Sequence, residues 1–153
     1  MLKRLMQGAV AGAAGTTALN AVTYADMAMR ARPSSSTPEQ VVEELAKRSG
    51  HPVPGSGAER QNRLQGLGAL SGLMTGVLVG ALAGQLRFVV LRLGPVLGPA
   101  ILGGSAMLAT DLTKLDITDP SSWDAGSWAS DAVPHLAFGV VAYSALAAMS
   151  SRP

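Results

Sequence analysis

Hydrophobic residues along this chain are concentrated in four stretches, and the segments between them hold nearly all of the charge. A helix needs about 20 largely apolar residues to cross a bilayer. The pattern therefore predicts four transmembrane helices, with approximate bounds 5–29, 64–91, 95–112 and 133–149. The expected fold is an all-α integral membrane four-helix bundle that forms a single domain over residues 1–153.

The second hydrophobic stretch has a glycine at every fourth position. This glycine ladder consists of Gly68, Gly72, Gly76, Gly80 and Gly84. Each glycine inside a water-exposed helix costs about 1 kcal/mol relative to alanine, so five would roughly cancel the stability of a marginal soluble helix. In a bilayer the backbone has no better partner than its own helix, and the missing side chains leave a groove for a neighbouring helix. The ladder therefore predicts a membrane helix with a packing surface.

The first stretch carries a matching set of small residues four apart, Gly8, Gly12 and Thr16. We expect this set to pack on the ladder, and a seam between copies of the chain, or a pore, is the alternative. Four residues advance a helix by about 400°, so the groove drifts by roughly 40° per step and predicts a right-handed crossing. Lys3 and Arg4 precede the stretch and also allow a cleaved signal peptide, but the matching seam favours a retained span.

The polar loop over residues 30–63 has its own helical signal. Thr37 is a predicted cap, Pro38 follows it, and a short amphipathic helix is expected over 38–48. We expect this helix to lie against the membrane or to cover the bundle. The connection around Gly94 is only a few residues long, so the second and third spans are expected to be antiparallel neighbours.

Charge and composition restrict the function classes. Only 14% of residues are charged, the net charge is +2, and no segment combines clustered Lys and Arg with aromatic residues, so no nucleic-acid partner is expected. The chain has no cysteine, which excludes disulfides and thiolate metal sites. Trp123 and Trp128 precede the last span and are expected to anchor it at the membrane interface. More Lys and Arg residues lie on the side of the long 30–63 loop, but the short 87–93 turn with its arginines weighs more than a long connection and favours a cytoplasmic N-terminus in the inner (plasma) membrane.

Polar residues near the span ends form the candidate polar site. With four spans they share one leaflet: Tyr24, Asp26, Asp111, Asp131 and His135. A carboxylate beside an imidazole can relay protons, bind a cation, or hold a metal together with further ligands. The structural alternative is that each carboxylate reaches water, caps a segment, or pairs with Arg30 or Arg63.

Catalytic and cofactor signatures are not found. The sequence has no Gly-rich phosphate loop, no HExxH motif and no credible Ser-His-Asp order, so no catalytic residues are assigned. Two histidines exclude a multi-histidine metal centre, and no metal or cofactor is expected. Haem with His135 as one axial ligand is the remaining alternative.

Two segments carry a family resemblance, MQGAVAGAAGTTALNAVTYADM and LDITDPSSWDAGSWASDAVPHLAFGVVAYSAL. They resemble small uncharacterised multi-span membrane proteins of actinobacteria and, more distantly, the YagU-like bacterial inner-membrane family. In the distant family a Gly-His pair opens the final span, whereas here Pro134 precedes His135, so the histidine matches and the glycine does not. The resemblance implies a helical inner-membrane protein with no assigned reaction.

These observations predict a non-enzymatic interaction or accessory subunit packed through the glycine ladder. Its expected partners are the lipid bilayer and either another membrane protein or further copies of the chain. The alternative is a small proton or cation channel or transporter with Asp26, Asp111 and His135 near its mouth. A membrane enzyme or a haem carrier is the third possibility.

Overall fold

A computed structural model describes residues 1–109, 115 and 117–151, which form helices and no strand. The helices are α1 (Leu2–Arg30), α2 (Thr37–Arg48), α3 (Gly57–Gln85), α4 (Arg87–Arg92), α5 (Gly94–Met107) and α6 (Ala125–Ser150). A 3-10 turn, Pro120–Ser122, precedes α6. The all-α prediction is therefore confirmed for the described part of the chain.

The central helix is α1, which packs against both α3 and α6. On the outer side of this three-helix group, α2 packs on α3 and α5 packs on α6. The contact between α3 and α5 is small. Thus α5, although it follows α3 closely in sequence, has α6 as its main partner.

Phe138 of α6 fills the junction of the three long helices and is 1% exposed. A Cβ on Gly15 of α1 would lie 2.8 Å from its ring, and one on Gly76 of α3 would lie 3.2 Å from it. The two glycines therefore leave the space that the aromatic ring occupies. Leu146, about two turns further along α6, is equally buried in the same core.

Two helices of the described part, α3 and α6, are long and apolar enough to cross a membrane. With 29 residues α1 has the length, but polar residues such as Gln7, Thr17 and Asn20 interrupt its apolar sequence. The 14 residues of α5 are too few for a span without neighbouring segments. Four transmembrane helices therefore stay a prediction, whereas two candidate spans are observed.

The observed helix bounds differ from the predicted spans. Residues 64–91 do not form one helix, because α3 ends at Gln85, Leu86 departs from helical geometry, and α4 follows. The last helix begins at Ala125 rather than near residue 133, so Pro134 lies inside it. The predicted third span begins with α5, and its residues 110–112 lie outside the described residues.

The short helix expected over 38–48 corresponds to α2, with Ser36 rather than Thr37 at the N-cap. The side-chain amide of Gln40 donates to the Ser36 hydroxyl over 2.8 Å, which fixes this first turn. Arg60 of α3 donates to Glu43 of α2 over 2.9 Å. Accordingly, α2 covers the first part of α3.

Candidate functional site

Glycine backbones form the contact between α1 and α3. A Cβ on Gly12 would lie 3.0 Å from Cα of Gly80, and a Cβ on Gly80 would lie 2.5 Å from Cα of Gly12. Gly8 and Gly84 make the same kind of contact one turn further along. A side chain at any of these four positions would overlap the facing backbone, so the helices approach this closely only because glycine is present.

Thr16 continues the contact towards the middle of the bundle, where it lies against Gly76 and is 6% exposed. Its hydroxyl donates to the carbonyl of Gly12 in its own helix over 3.0 Å. This bond satisfies the polar atom without a partner from another helix. The threonine therefore acts as a small packing residue, and α1 uses Gly8, Gly12 and Thr16 against Gly76, Gly80 and Gly84.

The first two glycines of the ladder lie outside this contact. Gly68 packs beneath α2, where a Cβ would lie 3.1 Å from the backbone nitrogen of Glu39. At Gly72 a Cβ would have no heavy atom within 4 Å. Because the ladder drifts by about 40° per step, Gly68 is turned by roughly 160° from Gly84. The prediction that all five glycines of the ladder pack on one helix is therefore corrected: only Gly76, Gly80 and Gly84 contact α1.

A second close contact, between α5 and α6, was not predicted from the sequence. A Cβ on Gly103 would lie 2.5 Å from the backbone oxygen of His135, and one on Gly139 would lie 2.8 Å from the nitrogen of Gly103. Gly98 faces the ring of Tyr143, and a Cβ on Gly98 would lie 2.6 Å from Cδ2 of that ring. Gly98 and Gly103 are five residues apart, so this pair does not have the four-residue spacing of the glycines in α1 and α3. The signal was the high glycine content of α5.

Asp26 lies at the opposite end of the bundle from Gly8 and is held by two arginines. Its carboxylate accepts hydrogen bonds from Nε of Arg30 over 2.6 Å and from Nε of Arg32 over 2.5 Å. Arg30 also donates to the hydroxyl of Ser130, which links the end of α1 to the start of α6. Each oxygen of the Asp26 carboxylate therefore accepts a hydrogen bond from an arginine.

His135 and Asp131 form a separate pair within α6. Nδ1 of His135 lies 2.7 Å from the backbone oxygen of Asp131 and 3.4 Å from its Oδ1. Tyr24 is 61% exposed, and Asp111 lies outside the described residues. Within the described ranges, no three His, Asp or Glu side chains come together as a metal site. Thus Asp131 and His135 meet, whereas Asp26 is bound to arginines.

The two tryptophans contact one another beside the start of α6. The ring centroids of Trp123 and Trp128 are 5.2 Å apart and the rings are inclined by 66°, an edge-to-face arrangement. Trp128 remains 43% exposed. The pair places aromatic surface at the polar end of the last helix.

Comparison of the chain with protein-family models, curated proteins and solved structures gave no match. The resemblance to the actinobacterial and YagU-like membrane proteins therefore stays a prediction, and the following proposals are based on the geometry of the chain itself.

Proposed function

We propose that this chain is a small multi-pass protein of the bacterial inner membrane that acts as a non-enzymatic interaction or accessory subunit. The supporting observation is the apolar surface of the two long helices. In the most apolar part of α3 and of α6, only 28% of the residues are buried. The core helix of a soluble protein is mostly buried, so this exposed surface calls for lipid or another apolar partner.

The exposed residues on α3 include large aliphatic side chains over much of its length. Their exposed fractions lie between 45% and 63% for Leu70, Leu73, Met74, Leu78 and Leu82. On α5, Val96 is 75% exposed and Leu97 is 57% exposed. Apolar exposure on α5 as well as on α3 and α6 supports a multi-pass arrangement in which the outer helix surfaces face lipid.

The membrane location is tested by extraction. Membranes of expressing cells are washed with alkaline carbonate and then treated with a mild detergent, and the protein is followed by immunoblotting. We expect it to resist carbonate and to enter solution only with detergent. Release by carbonate, or a monodisperse helical protein in buffer without any amphiphile, would contradict the proposal.

A cytoplasmic N-terminus is supported by Lys3, Arg4, Arg87 and Arg92, which occupy short segments at one end of the bundle. The chain has no cysteine, so single-cysteine variants report orientation cleanly. We expect Ser34→Cys to react with a membrane-impermeant maleimide in intact cells whose outer barrier has been opened, and Ser151→Cys to react only after lysis. The reverse pattern would invert the topology.

The interaction role is supported by the uncovered part of the ladder. Gly72 belongs to the four-residue spacing, but no part of the described chain occupies the space beside it. Mild extraction followed by size measurement and identification of co-purifying proteins tests this role. We expect Gly72→Leu to reduce the association, whereas Gly104→Leu, which adds the same side chain at an open position of α5, retains it. Equal association in both variants would remove the proposed role of this surface.

The channel alternative has weaker support, because the guanidinium groups of Arg30 and Arg32 already pair with the carboxylate of Asp26. A cation would have to displace an arginine to reach this carboxylate. Proteoliposomes loaded with a pH-sensitive dye distinguish the two functions. We expect Asp26→Asn and the wild type to show the same low proton leak, and a leak in the wild type that Asp26→Asn abolishes would favour the channel.

A further inference from the structure

Charge is distributed very unequally between the two ends of the bundle. All ten Asp and Glu residues of the sequence lie between Asp26 and Asp131, and none lies in 1–25, 60–110 or 132–153. The acid-free segments include the start of α1, the end of α3, all of α4, and the end of α6. One end of the bundle therefore has basic side chains and no Asp or Glu from the described part of the chain.

Hydrogen bonds join these segments into one surface, which we call the cationic end. The side-chain amide of Gln85 donates to the backbone oxygen of Met1 over 3.2 Å, and that of Gln7 donates to the backbone oxygen of Met149 over 2.9 Å. The hydroxyl of Tyr143 donates to the backbone oxygen of Leu91 over 3.3 Å. The basic residues of these segments are consequently close in space. They are Lys3, Arg4, Arg87 and Arg92.

The charges at the cationic end have no carboxylate partner within the described residues, where every ion pair lies at the opposite end. Arg4 and Arg87 instead lie over the ring of Phe88, each with its guanidinium carbon 5.0 Å from the ring centroid. Arg87 also donates to the side-chain oxygen of Gln7 over 3.4 Å. Arg4 and Arg87 are thus positioned by neutral groups, and no carboxylate among the described residues compensates their charge.

A cavity of about 290 Å³ opens at this surface. Its lining combines two arginines with apolar and hydroxyl side chains: Arg87, Phe88, Leu91, Arg92 and Ser150. The hydroxyl oxygen of Ser150 is buried and has no hydrogen-bond partner among the described residues. A buried hydroxyl without a partner is uncommon, and this one belongs to a residue that lines the cavity.

We propose that Arg87, Arg92 and Ser150 bind the phosphate group of an anionic phospholipid whose acyl chains lie against Phe88 and Leu91. Guanidinium groups match phosphate in charge and in geometry, and a phosphate oxygen can accept the hydrogen bond of the serine hydroxyl. Phe88 is 58% exposed beside the arginines, and such an apolar surface suits a lipid rather than free phosphate. This inference rests on the proposed membrane location.

The experiment uses the delipidated full chain in a nonionic detergent, with phosphatidylglycerol as the probe and phosphatidylcholine as the head-group control. Bound lipid is counted by native mass spectrometry. We expect the wild type to retain phosphatidylglycerol in preference to phosphatidylcholine. Arg87→Gln with Arg92→Gln should weaken phosphatidylglycerol binding by about tenfold or more, and Ser150→Ala by about threefold.

Lys47→Gln is the matched control, because it removes one positive charge at the other end of the bundle, where Glu43 keeps Arg60 as a partner. It should bind phosphatidylglycerol like the wild type. If the double variant loses its helical circular dichroism spectrum, the single variants Arg92→Gln and Ser150→Ala test the site instead. Arg92 is exposed on α4, so its substitution should leave the fold intact. Equal binding by these variants and by Lys47→Gln would overturn the site.

Two further arms separate the sources of failure. Inorganic phosphate at millimolar concentration should not displace the lipid. If inorganic phosphate displaced phosphatidylglycerol when the two were present at equal concentration, the assignment to a phospholipid would be overturned. A wild-type protein that needs no detergent contradicts the membrane proposal itself. If the wild type is embedded in the membrane but the variant without Arg87 and Arg92 binds the lipid equally well, only this inference is overturned.

Discussion

Gly8 of α1 and Gly84 of α3 are backbone-to-backbone neighbours: a Cβ on Gly8 would lie 2.8 Å from both Cα and N of Gly84. Gly84 in turn lies against the backbone oxygen of Arg4, so the contact extends to the first turn of α1. Such proximity allows dispersion contacts between helix backbones that any larger residue would prevent. The stability of the α1–α3 pair should therefore depend on glycine at these positions and not merely on apolarity.

This dependence can be measured with two alanine substitutions in the same ladder. Gly80→Ala places a Cβ 2.5 Å from Cα of Gly12, and we expect it to lower the free energy of unfolding by about 1–3 kcal/mol. Gly72→Ala places a Cβ in open space, and we expect a change within about 0.5 kcal/mol. Thermal unfolding in detergent, followed by circular dichroism, compares them. Equal melting temperatures would mean that the seam contributes nothing.

Phe138 offers a test of the three-helix junction. Its ring is 1% exposed, and Phe138→Ala would leave a cavity between α1, α3 and α6. We expect a loss of about 3 kcal/mol or more in the free energy of unfolding, because the glycines around the ring have no side chains that can move into the space. Val140→Ala, on the exposed side of the same helix, should cost less than about 1 kcal/mol. Chemical unfolding of both variants in the same detergent checks the difference.

The glycine seam shows how far the sequence predicts this fold. Spacing of four in two stretches predicted that Gly8 and Gly12 have small partners, and the structure places Gly80 and Gly84 against them. The spacing of the glycines does not predict at which residue the neighbouring helix diverges from the groove. That point depends on helix crossing and on α2, which covers Gly68.

Helix ends were harder to predict than helix positions, for a physical reason. Hydropathy reports which solvent a segment prefers, whereas a helix end is determined by caps and backbone hydrogen bonds. The last helix begins at Ala125, in a polar segment, because Asp124 caps it there. Similarly, the apolar run through residue 91 is interrupted at Leu86, although its hydrophobicity continues. The partners of Asp26 and His135 also required three-dimensional information, since the sequence assigns both residues only to one end, whereas the structure pairs Asp26 with arginines and His135 with Asp131.

Glu43 should give the contact between α2 and α3 a pH dependence. Hydrogen bonds from Arg60, and then from Lys47, lower the pKa of this carboxyl below its ordinary value of 4.5. A pKa lowered by folding means that the ion pair stabilises the folded state above pH 4.5 and that this stabilisation is lost as the pH falls through the folded value. After correction for the intrinsic pH dependence of amide exchange, the protection of the α2 amides should therefore fall on acidification. In Glu43→Gln the exchange should already be faster at neutral pH, with a smaller pH dependence, and an unchanged profile would contradict this role.

The start of α6 provides the last prediction. The carboxylate of Asp124 accepts a hydrogen bond from the backbone nitrogen of Ser127 over 2.7 Å, and this bond is the main reason that the pKa of Asp124 lies below its ordinary value of 3.8. Asp124→Ala leaves that amide without its cap. We expect exchange of the Ser127 amide to rise about fivefold, the size typical of a lost N-cap. Asp124→Asn keeps an acceptor and should stay close to the wild type, whereas Asp119→Ala should affect only the 3-10 turn that Asp119 caps. If Asp124→Ala exchanges like the wild type, the polar beginning of α6 is held by its contacts with α1, such as the bond between Arg30 and Ser130, and not by its cap.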